Sequence, residues 1–226
     1  MQKYIDIHTH SAYKRADVLS ILNISCSDYV SGQYKGCLSA GIHPWEVKER
    51  DVDFYKERLV KCLQGIDIVA IGECGVDKTK NIENLELQKD VFRMQLELAQ
   101  ELGLPVILHI VRAYSELEHL IKECSLTVPL ILHSYRAKAT ITDQMLKYRN
   151  INFSINSSLC NNTEKLRSLL DFIPTDRLFF ETDDTDIPIE RIYAESAAVL
   201  SISLVELQRI VSSNFDRIFG LGNVCR

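Results

Sequence analysis

Residues 104–133 read LPVILHIVRAYSELEHLIKECSLTVPLILH, and this stretch decides the fold. Pro105-Val106-Ile107-Leu108-His109 and Pro129-Leu130-Ile131-Leu132-His133 are near-continuous apolar runs, the pattern of strands covered on both faces. Residues 114–124 between them carry helical spacing. Strand, helix and strand in that order make a parallel βαβ unit. Both strands end in a histidine.

The same beat runs outward in both directions. Downstream, strands are expected at residues 151–154 and 177–183, with helices at 139–148, 163–172, 188–200 and 204–219. Upstream, Ile68-Val69-Ala70-Ile71-Gly72 is a buried strand followed by Glu73-Cys74-Gly75-Val76-Asp77. Residues 85–102 then form a long amphipathic helix with Val91, Phe92, Leu96, Leu98 and Ala99 inward and Gly103 as its stop. Residues 51–64 form another, with Phe54, Leu59, Cys62 and Leu63 as the apolar stripe. Three strands precede it, at residues 4–10, 18–25 and 37–44, and residues 26–36 read as a loop or one short helix.

Eight strands with a helix after each from the third onward predict an α/β fold, a TIM (β/α)8-type barrel in a single domain, residues 1–226. A βαβ crossover needs about 10–12 residues or more, and too few separate the first two strands. The barrel is therefore expected to be shortened, with its first outer helix missing. An open doubly wound sheet is the alternative.

Composition limits the function. A formal net charge of −5 provides no global basic surface, so any phosphate must be met by local or metal-borne positive charge. Seven cysteines without CxxC spacing fit reduced thiols rather than a disulfide framework. No apolar run approaches the ~18 residues of a membrane span, and the N-terminus enters a strand containing an acid and two histidines rather than a signal peptide. The expected location is the cytoplasm, and the expected state a monomer without membrane contact.

Polar residues collect in one kind of place. His8, His10, His43, Glu73, His109, His133 and Asp183 all sit at or just past the carboxyl end of an expected strand. Five of the six histidines do so, His119 being the exception. In a strand, residues i and i+2 share a face, so His8 and His10 project together. A lone buried histidine is usually a hydrogen-bonded core residue, but joint placement at the face where barrel active sites lie argues for metal. The donor set of imidazoles and carboxylates suits Zn²⁺, Mn²⁺ and related ions, and Mg²⁺ where more oxygen is available. Six ligands exceed one open catalytic ion but serve two ions bridged by a carboxylate. Asp183 is placed to bind one ion and accept the proton of the attacking water.

HTH at 8–10, GIHP at 41–44, IGECGVD at 71–77, LPVILH at 104–109, LILHS at 130–134, IPTDRLFFETD at 173–183 and NFDRIFG at 214–220 resemble the TatD family of metal-dependent hydrolases. The resemblance spans nearly the whole chain in order. It implies an amidohydrolase-like TIM barrel, commonly a 3′–5′ deoxyribonuclease, some members instead removing D-amino acids from tRNA. It places His8, His10, Glu73 and Asp183 on one metal and Glu73, His109 and His133 on a second, with Glu73 as the bridge and Asp183 and Glu73 as catalytic residues. The departures fall elsewhere: Trp45 where a histidine is usual, Lys78 where a tyrosine often stands, an arginine displaced to Arg112, and Ser134-Tyr135-Arg136-Ala137-Lys138 after His133.

The resulting expectation is a two-metal hydrolase of phosphodiester bonds, using two divalent ions (Zn, Mg or Mn) and acting on the 3′ end of DNA. His43, Arg112 and Arg136 are the expected substrate-binding residues, the arginines as phosphate ligands. Lys78 and Lys138 are further candidates at the mouth, and Asp6 a residue that orients a ligand. An amide or ester hydrolase with the same ligands is the alternative, and a metal-holding protein without turnover a lesser one.

Overall fold

The computed structural model describes residues 3–13, 15–27, 34–48 and 50–220. Eight strands are present: β1 Tyr4–Thr9, β2 Val18–Ser25, β3 Cys37–Gly41, β4 Ala70–Asp77, β5 Val106–Val111, β6 Leu130–Leu132, β7 Ile151–Ile155 and β8 Leu178–Phe180. They lie in one sheet in sequence order, β1 to β8. The helices are α1 Val52–Leu63, α2 Leu85–Leu102, α3 Tyr114–Glu123, α4 Ala139–Leu146, α5 Thr163–Leu170, α6 Ile189–Leu200 and α7 Leu204–Phe219. As expected, a helix follows each strand from the third, and none lies between β1 and β2 among the described residues. The expected loop or helix at residues 26–36 falls partly outside the described residues. The chain divides within β2 into two compact units, Met1–Leu22 with Leu132–Arg226, and Asn23–Ile131.

In the first unit β1 pairs in parallel with β2, Tyr4 opposite Val18 and Asp6 opposite Ser20. β7 pairs in parallel with β8. A parallel bridge joins Thr9 to Asp183, so the first strand meets the end of the last, which an open doubly wound sheet would not do. α6 anchors β1 through Tyr193, whose buried hydroxyl donates to Ile5 O at 3.0 Å and accepts from Ile5 N at 3.2 Å. Burial pushes that phenol well above its ordinary pKa, so it remains a neutral donor. Phe180 packs 4.6 Å from its ring, and Tyr135 packs 4.8 Å from Phe153; these side chains and Phe179 are buried.

In the second unit β3, β4 and β5 are parallel neighbours, Ala40 opposite Ile71 and Gly75 opposite His109. Helices α1 and α2 cover them through Tyr55, Leu59, Cys62, Val91 and Met94. Two buried glutamines of α2 extend that contact to the backbone. Gln95 accepts from Ile42 N at 2.7 Å and donates to Ile42 O at 3.1 Å. Gln88 accepts from Asp77 N at 3.0 Å and donates to Lys80 O and Asn81 O. Each satisfies groups that the end of a strand leaves unpaired.

Several expectations are corrected. The inward residue of α1 is Tyr55, while Phe54 is 43% exposed. The Asp51 side chain caps the helix by accepting from Phe54 N, and Tyr55 OH accepts from Lys48 N at 2.7 Å, which turns that face inward. On α2 Met94 is buried and Leu98 only partly so. Cys26, Cys62, Cys74, Cys124 and Cys160 are free thiols.

The strand expected to end at Gly72 continues to Asp77, with all eight residues buried. Glycine makes this possible. Gly75 has φ +156°, and a Cβ there would lie 1.9 Å from His109 O. Gly75→Ala is therefore expected to lower stability by more than about 4 kcal/mol or to prevent folding, because a backbone carbonyl cannot give way. Gly103→Ala, at φ +66° with nothing within 4 Å of the added carbon, is the comparison; it should cost only about 1 kcal/mol. Thermal or denaturant unfolding of the two variants checks both values.

Candidate metal centre

The first unit gathers donors at the carboxyl end of β1. His8 is fully buried and His10, two residues on, is 44% exposed, their rings 5.0 Å apart. Asp183 lies three residues beyond β8 with φ +59°, and Asp183 N donates to His8 O at 3.0 Å. His10 N returns a bond to Asp183 O at 3.1 Å. This paired backbone contact fixes the aspartate beside both imidazoles, Oδ1 lying 3.7 Å from each Nε2. Oδ2 accepts from Ser134 Oγ at 3.0 Å, and Asn156 Nδ2 donates to that same Oγ at 2.5 Å.

Behind Asp183 stands Glu181, fully buried at the end of the apolar run Leu178-Phe179-Phe180. Its Oε1 accepts from Ser134 N at 2.6 Å and lies 3.3 Å from His133 Nδ1. Its Oε2 has no hydrogen-bond partner among the described residues. A buried carboxylate oxygen left without a donor is expensive, and a cation is a natural remedy. His133, Glu181 and Asp183 form one candidate cation-binding group, and His8, His10 and Asp183 another. In each, one atom per residue lies within 4.8 Å of the others.

Asp6 supports this arrangement from below. It accepts from Thr182 N at 3.0 Å and Thr182 Oγ1 at 2.6 Å, tying β1 to the residue between Glu181 and Asp183. Burial raises its pKa to about 6 against the opposing effect of these hydrogen bonds.

The second unit has its own group, His43, Glu73 and His109. Glu73 lies within β4 rather than past its end, and is 5% exposed. Its backbone N donates to Asn23 Oδ1 at 2.7 Å, which also accepts from Ser39 Oγ. Glu73 Oε1 lies 2.6 Å from His109 Nδ1 and 3.4 Å from His43 Nε2. His43 Nδ1 accepts from Trp45 N, which fixes the ring with Nε2 toward the glutamate. His109 Nε2 lies 3.4 Å from Asp77 Oδ2, the oxygen that also accepts from Trp45 Nε1 at 2.8 Å. Burial pushes the Asp77 carboxyl up, but donors from Thr79, Trp45 and His109 outweigh it and hold the group below its ordinary value.

Of the expected ligands, His8, His10 and Asp183 come together, as do Glu73 and His109, while His133 joins Glu181 and Asp183. His43, expected at the substrate, sits in the Glu73 group. Arg112 and Arg136 are exposed and make no ion pair among the described residues. Lys78 pairs with Glu116. Trp45 packs edge-on against His43 and His109 under the Lys80 ammonium. Sequence reading missed Glu181, Asp77, Ser134, Asn156 and Asn23. Glu181 had a signal, an acid closing an apolar strand two residues before Asp183; the others are read only from their contacts.

The model of the TatD related DNase family matches residues 23–220. The chain belongs to this family. The match begins after His8 and His10. The 3′-5′ ssDNA/RNA exonuclease TatD of Musicola paradisiaca is 31% identical over 204 residues, 81% of this chain and 76% of that protein. The enzyme of the same name from Cronobacter sakazakii is 34% identical over 155 residues, 67% of this chain and 58% of that protein. The matched part of the chain thus spans 58% to 76% of the length of these TatD proteins. The crystal structure of YjjV, a TatD homolog from Escherichia coli K12, superposes with a TM-score of 0.78 at 21% identity, covering 97% of this chain and 99% of that one. A TatD family hydrolase from Entamoeba histolytica gives 0.71 at 17% identity. The fold is therefore the TatD-type TIM barrel, with no helix between β1 and β2 among the described residues.

Proposed function

We propose that this TatD family member is a divalent-metal-dependent phosphodiesterase that shortens single-stranded nucleic acid from its 3′ end. The observation that carries the reading is the gathering of imidazoles and carboxylates at His8, His10 and Asp183 and at His43, Glu73 and His109 in a chain of this family. The names of its TatD relatives supply the substrate class.

The donor set fits divalent cations: nitrogen and carboxylate oxygen without thiolate, with a buried glutamate oxygen lacking a proton donor. His8, His10 and Asp183 would hold one ion, and Glu73 and His109 another, with His133 and Glu181 beside Asp183. Such ions supply charge stabilisation for the transferring phosphate and a more acidic water. The side chains do the rest. Asp183 accepts the proton of the attacking water at a carboxylate oxygen, while Ser134 holds the other oxygen in place. Asn156 and the Ser134 backbone fix that serine against Glu181, so the base is preorganised. Trp45 keeps Asp77 directed at His109, which holds the imidazole in one orientation toward Glu73. In the free protein an acidic neighbourhood of Asp183, Asp184, Asp186 and Glu181 repels phosphate locally, so engagement of the scissile phosphate at this centre, as distinct from binding of the strand elsewhere, depends on metal loading.

The test is a reconstituted assay. Protein stripped with EDTA and reloaded with Mg²⁺, Mn²⁺ or Zn²⁺ is offered single-stranded DNA labelled at its 5′ end, with an aryl ester in parallel. The expected outcome is a metal-dependent ladder growing from the 3′ end and lost on re-addition of EDTA. Ester cleavage with intact DNA would replace this reading by that of a carbonyl hydrolase.

A further inference from the structure

The first unit contains two clefts of opposite character. The larger, about 590 Å³, is bordered by His10, Asp183, Asp184 and Asp186. Among the described residues that line it, the one arginine or lysine, Arg15, already pairs with Asp17 and Glu190. The smaller, about 320 Å³, is lined by Arg136, Lys138, Lys165, Leu159 and Phe172 among others, with no acid among its lining residues. The three cations are exposed and make no ion pair among the described residues.

We propose that this second cleft is a track for single-stranded nucleic acid, its cations meeting successive phosphates and Phe172 stacking a base. The inference rests on the nuclease reading and extends it from the 3′ terminus to the body of the strand. Four observations carry it. In a chain of net charge −5, three unpaired cations around one acid-free cleft form a local positive field of the kind a polyanion needs. Phe172 is 42% exposed beside that charge, and a cationic groove with an exposed aromatic is the usual platform for unpaired bases. The first turn of α4 opens into the cleft at Ala139, its N-cap Lys138 making no side-chain bond to the first backbone N–H groups. Those donors add positive potential at the place where the lysine stands. Finally, Arg136 follows His133 by three residues, so one loop carries both a lining residue of the cleft and a candidate metal ligand. A duplex keeps its bases stacked and leaves Phe172 unused, which makes the cleft selective for single strands.

The experiment measures binding apart from turnover. The full chain in EDTA is titrated with fluorescein-labelled dT12 between 50 and 200 mM NaCl, for wild type, K138E/K165E, K138R/K165R and F172A. For wild type, binding is expected to weaken steeply with salt. K138E/K165E should raise the Kd at least ten-fold and reduce the log–log salt slope by about 1.4, near 0.7 for each of two phosphates lost. K138R/K165R should retain both values, which separates charge from folding. F172A should weaken dT12 binding about five-fold or more while leaving a 12-base-pair duplex unaffected. An unchanged Kd and slope in K138E/K165E would overturn the proposal, as would a wild type that does not bind dT12. The nuclease reading is scored separately by cleavage of unlabelled dT12 with Mn²⁺. Salt-sensitive binding lost in K138E/K165E without any cleavage by wild type would keep the cleft and remove the nuclease, and cleavage with unaltered binding would do the reverse.

Discussion

Asp183→Asn is expected to reduce metal-dependent turnover of a single-stranded oligonucleotide by at least about 10³-fold without lowering the melting temperature of the metal-free protein. The catalytic loss combines two roles. Asp183 Oδ1 faces two imidazole nitrogens at 3.7 Å, so an amide in its place removes the negative charge that would bind a cation with them. It also removes the proton acceptor, and general-base catalysis alone contributes about 10²–10⁴. Stability should move the other way. In the free protein Asp183 stands among Glu181, Asp184 and Asp186, and neutralising one of these charges relieves repulsion. The Ser134 hydroxyl can donate to the asparagine oxygen as it does to the aspartate, so the local hydrogen bond survives. A residue whose removal abolishes activity while leaving stability equal or higher is kept for function. Steady-state kinetics and calorimetry on the same preparation read both quantities; a retained kcat would exclude Asp183 as the base.

The second large effect is expected at Glu73. Glu73→Gln should lower the bound metal by about one ion per chain, measured by elemental analysis after dialysis, and reduce turnover by a further factor of about 10³ or more. Glutamine preserves the shape of a side chain only 5% exposed, and its amide, which can either donate or accept, keeps a hydrogen bond to His109 Nδ1, which lies 2.6 Å from Glu73 Oε1. The backbone bond from residue 73 to Asn23 does not involve the side chain and persists. What is lost is the buried negative charge between His43 and His109, which neutral imidazoles need as a partner to hold a dication. The folded structure should therefore remain, with a melting temperature near that of wild type when both are free of metal. Unchanged metal content in Glu73→Gln would remove this residue from the ligand set.

Much of the site was readable because a parallel strand places its chemistry at one end. His109 and His133 close apolar runs, and a polar group in that position has no role in packing. Glu181 closes the run Leu178-Phe179-Phe180 in the same way, yet Asp183 two residues on drew attention from it. The continuous apolar run ends at Gly72, which puts Glu73 beyond its expected strand. In the structure Gly72 and Gly75 are the places where β5 approaches the β4 backbone too closely for any side chain. The α1 stripe failed for a related reason. Phe54 is as apolar as Tyr55, but the hydroxyl of Tyr55 serves Lys48 N, and that bond selects which ring is buried.

The sequence by itself determined the order of elements, the lack of a helix between the first two strands among the described residues, the family, and the residue types from which a metal centre can be built. These follow from periodicity, chain length between strands and motif content, which are local properties. Only the tertiary structure decided which donors meet. It put His43 with Glu73 and His109, gave His133 a buried glutamate as neighbour, and aimed Trp45 at Asp77. It also gathered Arg136, Lys138, Lys165 and Phe172 around one acid-free cleft. Those groupings join side chains from separate strands, helices and loops, and the separation that matters is in space. No spacing rule along the chain contains it, because the distance is set by strand register and by the buried polar side chains that fix each loop.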